Sequence, residues 1–307
     1  LLGVSLWMRL KLNESPVFRA MKAEGQVSAN PFLESFTYPG NKKRIFIALF
    51  GVACGLTIIF YTAFFSTLSF LKGPMRIEDT TAEIIVGFSS LGAVAFMLYF
   101  GSLSDRIGRK KPILYGYIAS LVLIFPLFWA MAQVANPQLA QAQRDAPIVL
   151  SGPACDYDPF AARQASECGQ LIGYLADRGL AYEVAPGARL EIGIGAQVAP
   201  LDDRPGSDAN RARIDDLLAA NGYTMEKQVP PAANIAAIVA ILLVWGALAG
   251  ATYGPVAAIL SEMFPPRIRY SSMSIPYHIG AGYFGGFLPL IAGYIVARTG
   301  DIFAGLW

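Results

Sequence analysis

The chain has 307 residues, 54% of them hydrophobic and only 15% charged, with a mean hydropathy of +0.45 and a net charge of +2. About a quarter of an average soluble chain is charged, so this composition excludes an ordinary soluble domain and predicts a membrane protein. The small net charge hides an asymmetry: residues 136–230 hold 8 Lys+Arg and 13 Asp+Glu, a net −5, which leaves +7 for the rest.

At the N-terminus, Leu1 to Met8 is an apolar octet too short to span a bilayer, and it is expected to be the end of a helix that began earlier. The stretch that follows, 9–44, carries Arg9, Lys11, Arg19, Lys22, Lys42, Lys43 and Arg44 against three Glu. Within it Asn13 to Gly25 reads as a helix, with Ser15 as N-cap, Pro16 at the first helical position and Gly25 as the stop. Val17, Phe18 and Met21 fall on one side, so this helix is expected to lie on the membrane or on the bundle.

Five runs are then long and apolar enough to cross a bilayer: Ile45 to Leu71, Ile84 to Phe100, Ile113 to Ala135, Ala232 to Ile259, and Met273 to Ala297. Their interiors hold no Lys, Arg, Asp or Glu. Lys and Arg collect in cytoplasmic loops, which places 9–44, 101–112 and 261–272 inside. Residues 72–83, 136–230 and the tail after Ala297 then face outward. Small residues let helices approach closely in lipid, and Gly51-x-x-x-Gly55, Gly246-x-x-x-Gly250-x-x-x-Gly254 and Gly282-x-x-x-Gly286 mark expected contact faces.

Residues 136–230 have soluble character. Asp158 as N-cap with Pro159 predicts a helix running to Gly179, Leu190-x-Ile192-x-Ile194 alternates as a strand does, and Ser207 or Asp208 opens a second helix ended by Asn221-Gly222. The expectation is a small α/β domain outside the membrane. Cys155 and Cys168 would lie there in an oxidising compartment, so a disulfide is the favoured reading over two free thiols. A metal site is disfavoured, because the segment has no His and only this pair of cysteines. Cys54, within a span, reads as a small core residue.

Residues 101–112 concentrate four cations, one carboxylate, two glycines and a proline between two spans: Gly101-Ser-Leu-Ser-Asp105-Arg106-Ile-Gly108-Arg109-Lys110-Lys111-Pro112. Asp105, near a helix end, can pair with Arg106, with Arg109 or with a group on the next helix, and such a pair can close the cytoplasmic side in one state and part in another. The bland alternative is that the cations only fix orientation. The segment resembles the G-x-x-x-D-R-x-G-R-(R/K) signature of the major facilitator superfamily of secondary transporters. Three others resemble its metabolite:proton symporter branch: Asn13-Glu-Ser-Pro-Val-Phe-Arg-Ala, Ser261-Glu262-Met-Phe264-Pro265-Pro-Arg267-Ile-Arg269-Tyr-Ser, and Ser274-Ile-Pro276-Tyr-His278-Ile-Gly-Ala-Gly-Tyr-Phe-Gly285-Gly286-Phe-Leu-Pro289.

The resemblance implies an all-α membrane protein forming the C-terminal six-helix half of a major facilitator fold, with the α/β insert between spans 9 and 10. It implies four regions: 1–44, the end of span 6 and the cytoplasmic central loop; 45–135, spans 7 to 9; 136–230, the extracytoplasmic insert; and 231–307, spans 10 and 11 and the start of span 12. Gly101 is then the site of close helix approach, Gly108 the turn, and Asp105 with Arg109 the state-dependent contact. Glu262, Arg267 and Arg269 look like the equivalent latch at the turn between spans 10 and 11. The implied partners are a small organic solute (a carboxylate, an amino acid or a betaine-like osmolyte), the proton, the lipid bilayer and an N-terminal half of the same transporter. The implied location is the bacterial inner membrane.

Thr57, Tyr61 and Phe64 share a helical face, as do Trp245 and Thr252 with Tyr253 adjacent, and these residues suit a wet substrate path. An aromatic stripe is also compatible with plain packing. His278 is the sole histidine, and an intramembrane ionisable residue is a functional candidate, with a neutral hydrogen-bonded His the alternative. Since no Lys or Arg lies within the spans, an anionic substrate would have to be met by helix N-termini at breaks such as Pro276 and Pro289, or by the other half. Two competing readings remain: a membrane receptor whose outward domain binds ligand, and a membrane enzyme using Cys155, His278 or the Asp202-Asp203 pair. No large cytoplasmic output segment supports the first, and no nucleophile stands near a base in sequence to support the second. No cofactor is expected, and nothing gathers basic residues as a nucleic-acid site would.

Overall fold

A backbone crossing hydrocarbon has to pair its own N–H and C=O groups, and each of the five apolar runs does so as a helix. The computed structural model describes residues 2–11, 16–25, 27–153, 155–202, 204 and 207–307, without the side chains of Arg9 and Val17. Three short helices come first: α1 (Leu2–Lys11), α2 (Pro16–Ala23) and α3 (Pro31–Thr37). Ser15, the expected cap of α2, lies outside the described residues; Phe18 on that helix is exposed and Met21 half-buried. The first three spans are α4 (Asn41–Lys72), α5 (Asp79–Ile107) and α6 (Lys110–Ala135).

The spans outrun their apolar cores because polar caps, not hydropathy, end them. Glu78 accepts N–H bonds from Thr80 and Thr81 at the start of α5, and Gly108, with φ at 93°, ends it. That positive φ lets the chain reverse into α6 within two residues.

Beyond α6 come α7 (Pro137–Asp145), β1 (Ile148–Gly152), α8 (Glu167–Asp177), β2 (Glu183–Pro186), β3 (Glu191–Ile194), β4 (Gln197–Pro200) and α9 (Asp208–Ala220). The strands form one sheet in the order β2-β1-β3-β4, with β1 and β2 parallel across the α8 crossover and the other pairs antiparallel. Leu150, Ile192 and Ile194 of the sheet pack with Leu171, Leu175, Ile214 and Leu218 of the helices in a core separate from that of the spans. The strand at Ile192 and Ile194 and the helix ended by Asn221 stand where the sequence places them.

The helix expected from Asp158 begins instead at Glu167, capped by Ser166, whose hydroxyl accepts the Gly169 N–H at 3.0 Å. Asp158 is occupied locally: it accepts from Phe160 N–H at 3.0 Å, while its own carbonyl takes a bond from Gln164. An Asx turn therefore competes with helix initiation there. Cys155 and Cys168 are joined as a disulfide with Cα atoms 4.9 Å apart, and Cys54 is a buried free thiol.

The last two spans are α10 (Ala232–Met263) and α11 (Arg269–Thr299). The Gly246, Gly250, Gly254 face of α10 crosses α5 at Ala93, Phe96–Met97 and Gly101. A Cβ at Gly250 would fall 2.8 Å from the Phe96 carbonyl carbon, and one at Gly254 would fall 2.7 Å from the Gly101 nitrogen. Gly55 faces the Tyr117 ring of α6, whereas Gly51 meets only Ile47 of its own helix.

The expected Gly282–Gly286 face is not the contact face of α11. Nothing lies within 4 Å of a Cβ at Gly282, and the close approaches are at Gly280, against Ala53, and Gly285, against Thr57 and Tyr61. Residues Gly280–Gly285 wind as a π turn, which moves the repeat from four residues to five. Two further π turns, Leu49–Ala53 and Thr62–Ser66, interrupt α4, the helix that α11 packs on.

Candidate functional site

Arg109 follows Gly108 in the two-residue turn between α5 and α6, so its guanidinium lies at the end of the bundle. Its fork of fixed donors is suited to two carboxylates at once. It pairs with Asp105 one helical turn back, donates Nε–H to Glu262 Oε1 at 3.0 Å, and donates from NH1 to Ser104 Oγ at 2.9 Å. Ser104 donates in turn to the Gly101 carbonyl at 2.6 Å, beside the α5–α10 crossing. One cation thus ties the end of α5 to the end of α10. The hydrogen bond to Glu262, then the one to Asp105, raises the Arg109 guanidinium above its ordinary pKa. The carboxylates are more than half exposed and Arg109 about a quarter exposed, so water competes for all three. A contact of this kind contributes little net free energy.

The expected latch of Glu262, Arg267 and Arg269 divides into three separate contacts. Glu262 joins Arg109; Arg267 donates to Glu34 of α3 at 2.7 Å; Arg269 donates Nε–H to the Phe264 carbonyl at 3.2 Å. The Pro265-Pro266 turn separates the three side chains and points them at different neighbours. Arg106 is exposed and stands outside the network.

Sequence reading missed a second, buried cluster at the same end. Asn41 at the start of α4 donates Nδ2–H to the Ser35 carbonyl at 2.7 Å and to Ser272 Oγ at 2.9 Å, and Ser272 donates to Ser35 Oγ at 2.9 Å. These bonds pin α3 between the starts of α4 and α11.

Of the residues expected along a substrate path, Thr57, Tyr61 and Tyr253 converge between α4 and α10. The Tyr253 ring lies 5.1 Å from that of Phe60, and its hydroxyl neighbours Thr57 and Tyr277, the last a residue the sequence did not single out. Thr57 is buried and donates to the Ala53 carbonyl of its own helix at 2.6 Å. Trp245 and Thr252 do share a face, but it is turned away from this group. Trp245 packs on Phe128 of α6 with ring centroids 5.9 Å apart, and Thr252 fills the space over Gly116. Seven residues along α10 return to the same side, and that side is the buried one.

His278 is exposed on α11, its ring 5.6 Å from that of Tyr277. Pro276 is interior to a helix, whereas Pro289 stands in the first turn of the segment Leu288–Thr299, so only the second marks a helix start. A crevice of about 300 Å³ opens between α4, α6 and α11, lined by Thr62, Ser66, Ser69, Phe128, Pro289 and Ala292. None of the expected path residues lines it. Among the described residues no three His, Cys, Asp or Glu side chains gather as metal ligands. Asp203 of the Asp202-Asp203 pair lies outside the described residues; Asp202 is held by Arg204.

Residues 40–142, the first three spans with the Asp105–Arg109 turn, match the LacY proton/sugar symporter family. The match covers about a third of the chain. A Staphylococcus aureus (strain MSSA476) protein with the provisional name proline/betaine transporter is 28% identical over 118 residues, covering 36% of this chain and 23% of that protein. The alpha-ketoglutarate permease of Escherichia coli (strain K12) is 27% identical over 143 residues, 45% of this chain and 30% of the permease. The matches span less than a third of the length of either relative. No solved structure matches the chain at the same stringency.

Proposed function

We propose that this chain is part of a proton-coupled symporter that moves a small organic solute by alternating access. The solute class is a carboxylate, an amino acid or a betaine-like osmolyte, and no enzymatic step is assigned. The observation that carries the reading is the Arg109 contact, in which one cation holds Asp105 on α5 and Glu262 on α10 at one end of the bundle. A partly exposed, doubly anchored ion pair is what a closed cytoplasmic gate requires, because its loss in the other state costs little. In this reading the five spans correspond to spans 7 to 11 of a twelve-helix protein. Residues 136–230 are an extracytoplasmic α/β insert, and the protein crosses the bacterial inner membrane many times. The relatives' names, for proline/betaine and alpha-ketoglutarate, support the solute class.

The test is uptake by the product of the complete reading frame, reconstituted in liposomes with an inward proton gradient. Accumulation of a betaine, amino acid or dicarboxylate that collapses with a protonophore is expected. Accumulation that survives the protonophore in the absence of sodium would refute proton coupling.

A further inference from the structure

We propose that the soluble segment between α6 and α10 is a brace holding the ends of α4 and α11 remote from Arg109, and that the Cys155–Cys168 bridge is its fastener. One side of the segment meets the turn that follows α4. Asn136 donates Nδ2–H to the Met75 carbonyl at 3.1 Å, and Gln228 accepts from Glu78 N–H at 3.0 Å and donates to the Arg76 carbonyl at 2.9 Å. Lys227 adds an ion pair to Asp79 at 2.6 Å.

The other side meets the last two turns of α11. Tyr182 donates its backbone N–H to the Gly300 carbonyl at 3.0 Å and its hydroxyl to the Ala297 carbonyl. Arg298 donates to the Tyr157 carbonyl at 2.5 Å and pairs with Asp156 at 3.3 Å, while the Phe160 ring stacks on Tyr294 with centroids 5.2 Å apart and planes 13° apart.

These two helices need such a brace. Both contain π turns, a rare winding found frequently at functional sites. They touch at Gly280–Ala53 and Gly285–Thr57, and a crevice lined by Ser66 and Ala292 opens beside them. The segment joins the turn after α4 to the end of α11.

Three of its contacts to α11, those of Asp156, Tyr157 and Phe160, lie in a stretch with neither helix nor strand. Cys155 joins that stretch to Cys168 in the first turn of α8, and Cys168 is itself buried in the segment's core. Position therefore passes from core to Cys168, to Cys155, to the contact residues.

The experiment is hydrogen exchange of the chain in detergent micelles, with and without a water-soluble phosphine. The phosphine converts the bridge to two thiols and becomes its oxide, with water supplying the oxygen and the two hydrogens. Reduction is expected to speed exchange at amides 293–300 by roughly tenfold or more, while amides 93–101 and 246–254 at the α5–α10 crossing stay as they were. Arg298→Ala and Phe160→Ala, with the bridge intact, should produce a smaller rise confined to 293–300. Unchanged protection of 293–300 in the reduced chain overturns the proposal, as does a mass taken without reductant that shows two free thiols. If reduction unfolds the segment and loosens the crossing as well, the two bridged variants decide: a local rise supports the brace and no rise refutes it. No readout involves solute uptake, so failure here leaves the transport reading standing.

Discussion

At the start of α5 the Glu78 carboxylate accepts N–H bonds from Thr80 at 3.2 Å and from Thr81 at 2.6 Å. Hydrogen bonding by Thr81 first, then Thr80, lowers its pKa from 4.5 to about 2. A depressed carboxylate gives stability that is complete above its unfolded pKa and is lost as the folded pKa is approached from above. Glu78→Gln should therefore be less stable than the parent at neutral pH, with the gap closing as pH falls from 4.5 towards 2; helicity melts across that range check it, and a gap constant with pH would reject it. The glycines offer a paired test. Gly250→Val forces side-chain atoms into the Phe96–Met97 backbone and should cost about 1–3 kcal/mol in detergent unfolding, as overpacking does. Gly282→Ala enters open space and should be neutral or slightly stabilising. Equal losses for the two would contradict the five-residue spacing of the α11 contact face.

Among the elements, the spans were legible because twenty apolar residues in lipid have one backbone solution. The π turn at Gly280–Gly285 was not, since a one-residue change of winding leaves no mark on an apolar pattern and only the partner helix reveals which glycines approach it. The start of α8 was misplaced because Asp158-Pro159 has the residue types of a helix start while its carboxylate closes a local turn. Ser166→Ala should accordingly cost about 1 kcal/mol in chemical denaturation and speed exchange of the Gly169 amide, whereas Asp158→Ala should leave that amide protected. Protection lost in Asp158→Ala and kept in Ser166→Ala would restore the sequence-based start. In the candidate site, Asp105, Gly108 and Arg109 could be read because they are neighbours in sequence. Glu34, Asn41 and Ser272 could not, because Asn41 and Ser272 meet across 231 positions and only the folded bundle brings them together.

The whole molecule has two unlike ends. Arg109–Glu262, Arg267–Glu34 and Asn41–Ser272 close one end with short polar contacts, and the soluble segment covers the turns at the other. In the proposed orientation, read from loop charge, the first end lies inside the cell. Ser207→Cys should then react with an impermeant maleimide in intact cells and Lys42→Cys should not, and the opposite pattern would invert the proposed orientation. The proposed gate is best tested as a cycle. Asp105→Asn and Glu262→Gln each remove one carboxylate from the same guanidinium: the second cuts the tie between the ends of α5 and α10, and the first loosens the guanidinium that makes it. If the closed state depends on Arg109 holding both, the first substitution removes most of what the second could remove, and the effects on turnover of the complete transporter should be far from additive. The double variant should transport about as slowly as the slower single variant, with all three proteins inserted at normal levels. Two losses that simply multiply would mean that Asp105 and Glu262 act independently, and normal uptake by inserted Asp105→Asn would reduce the turn to an orientation signal.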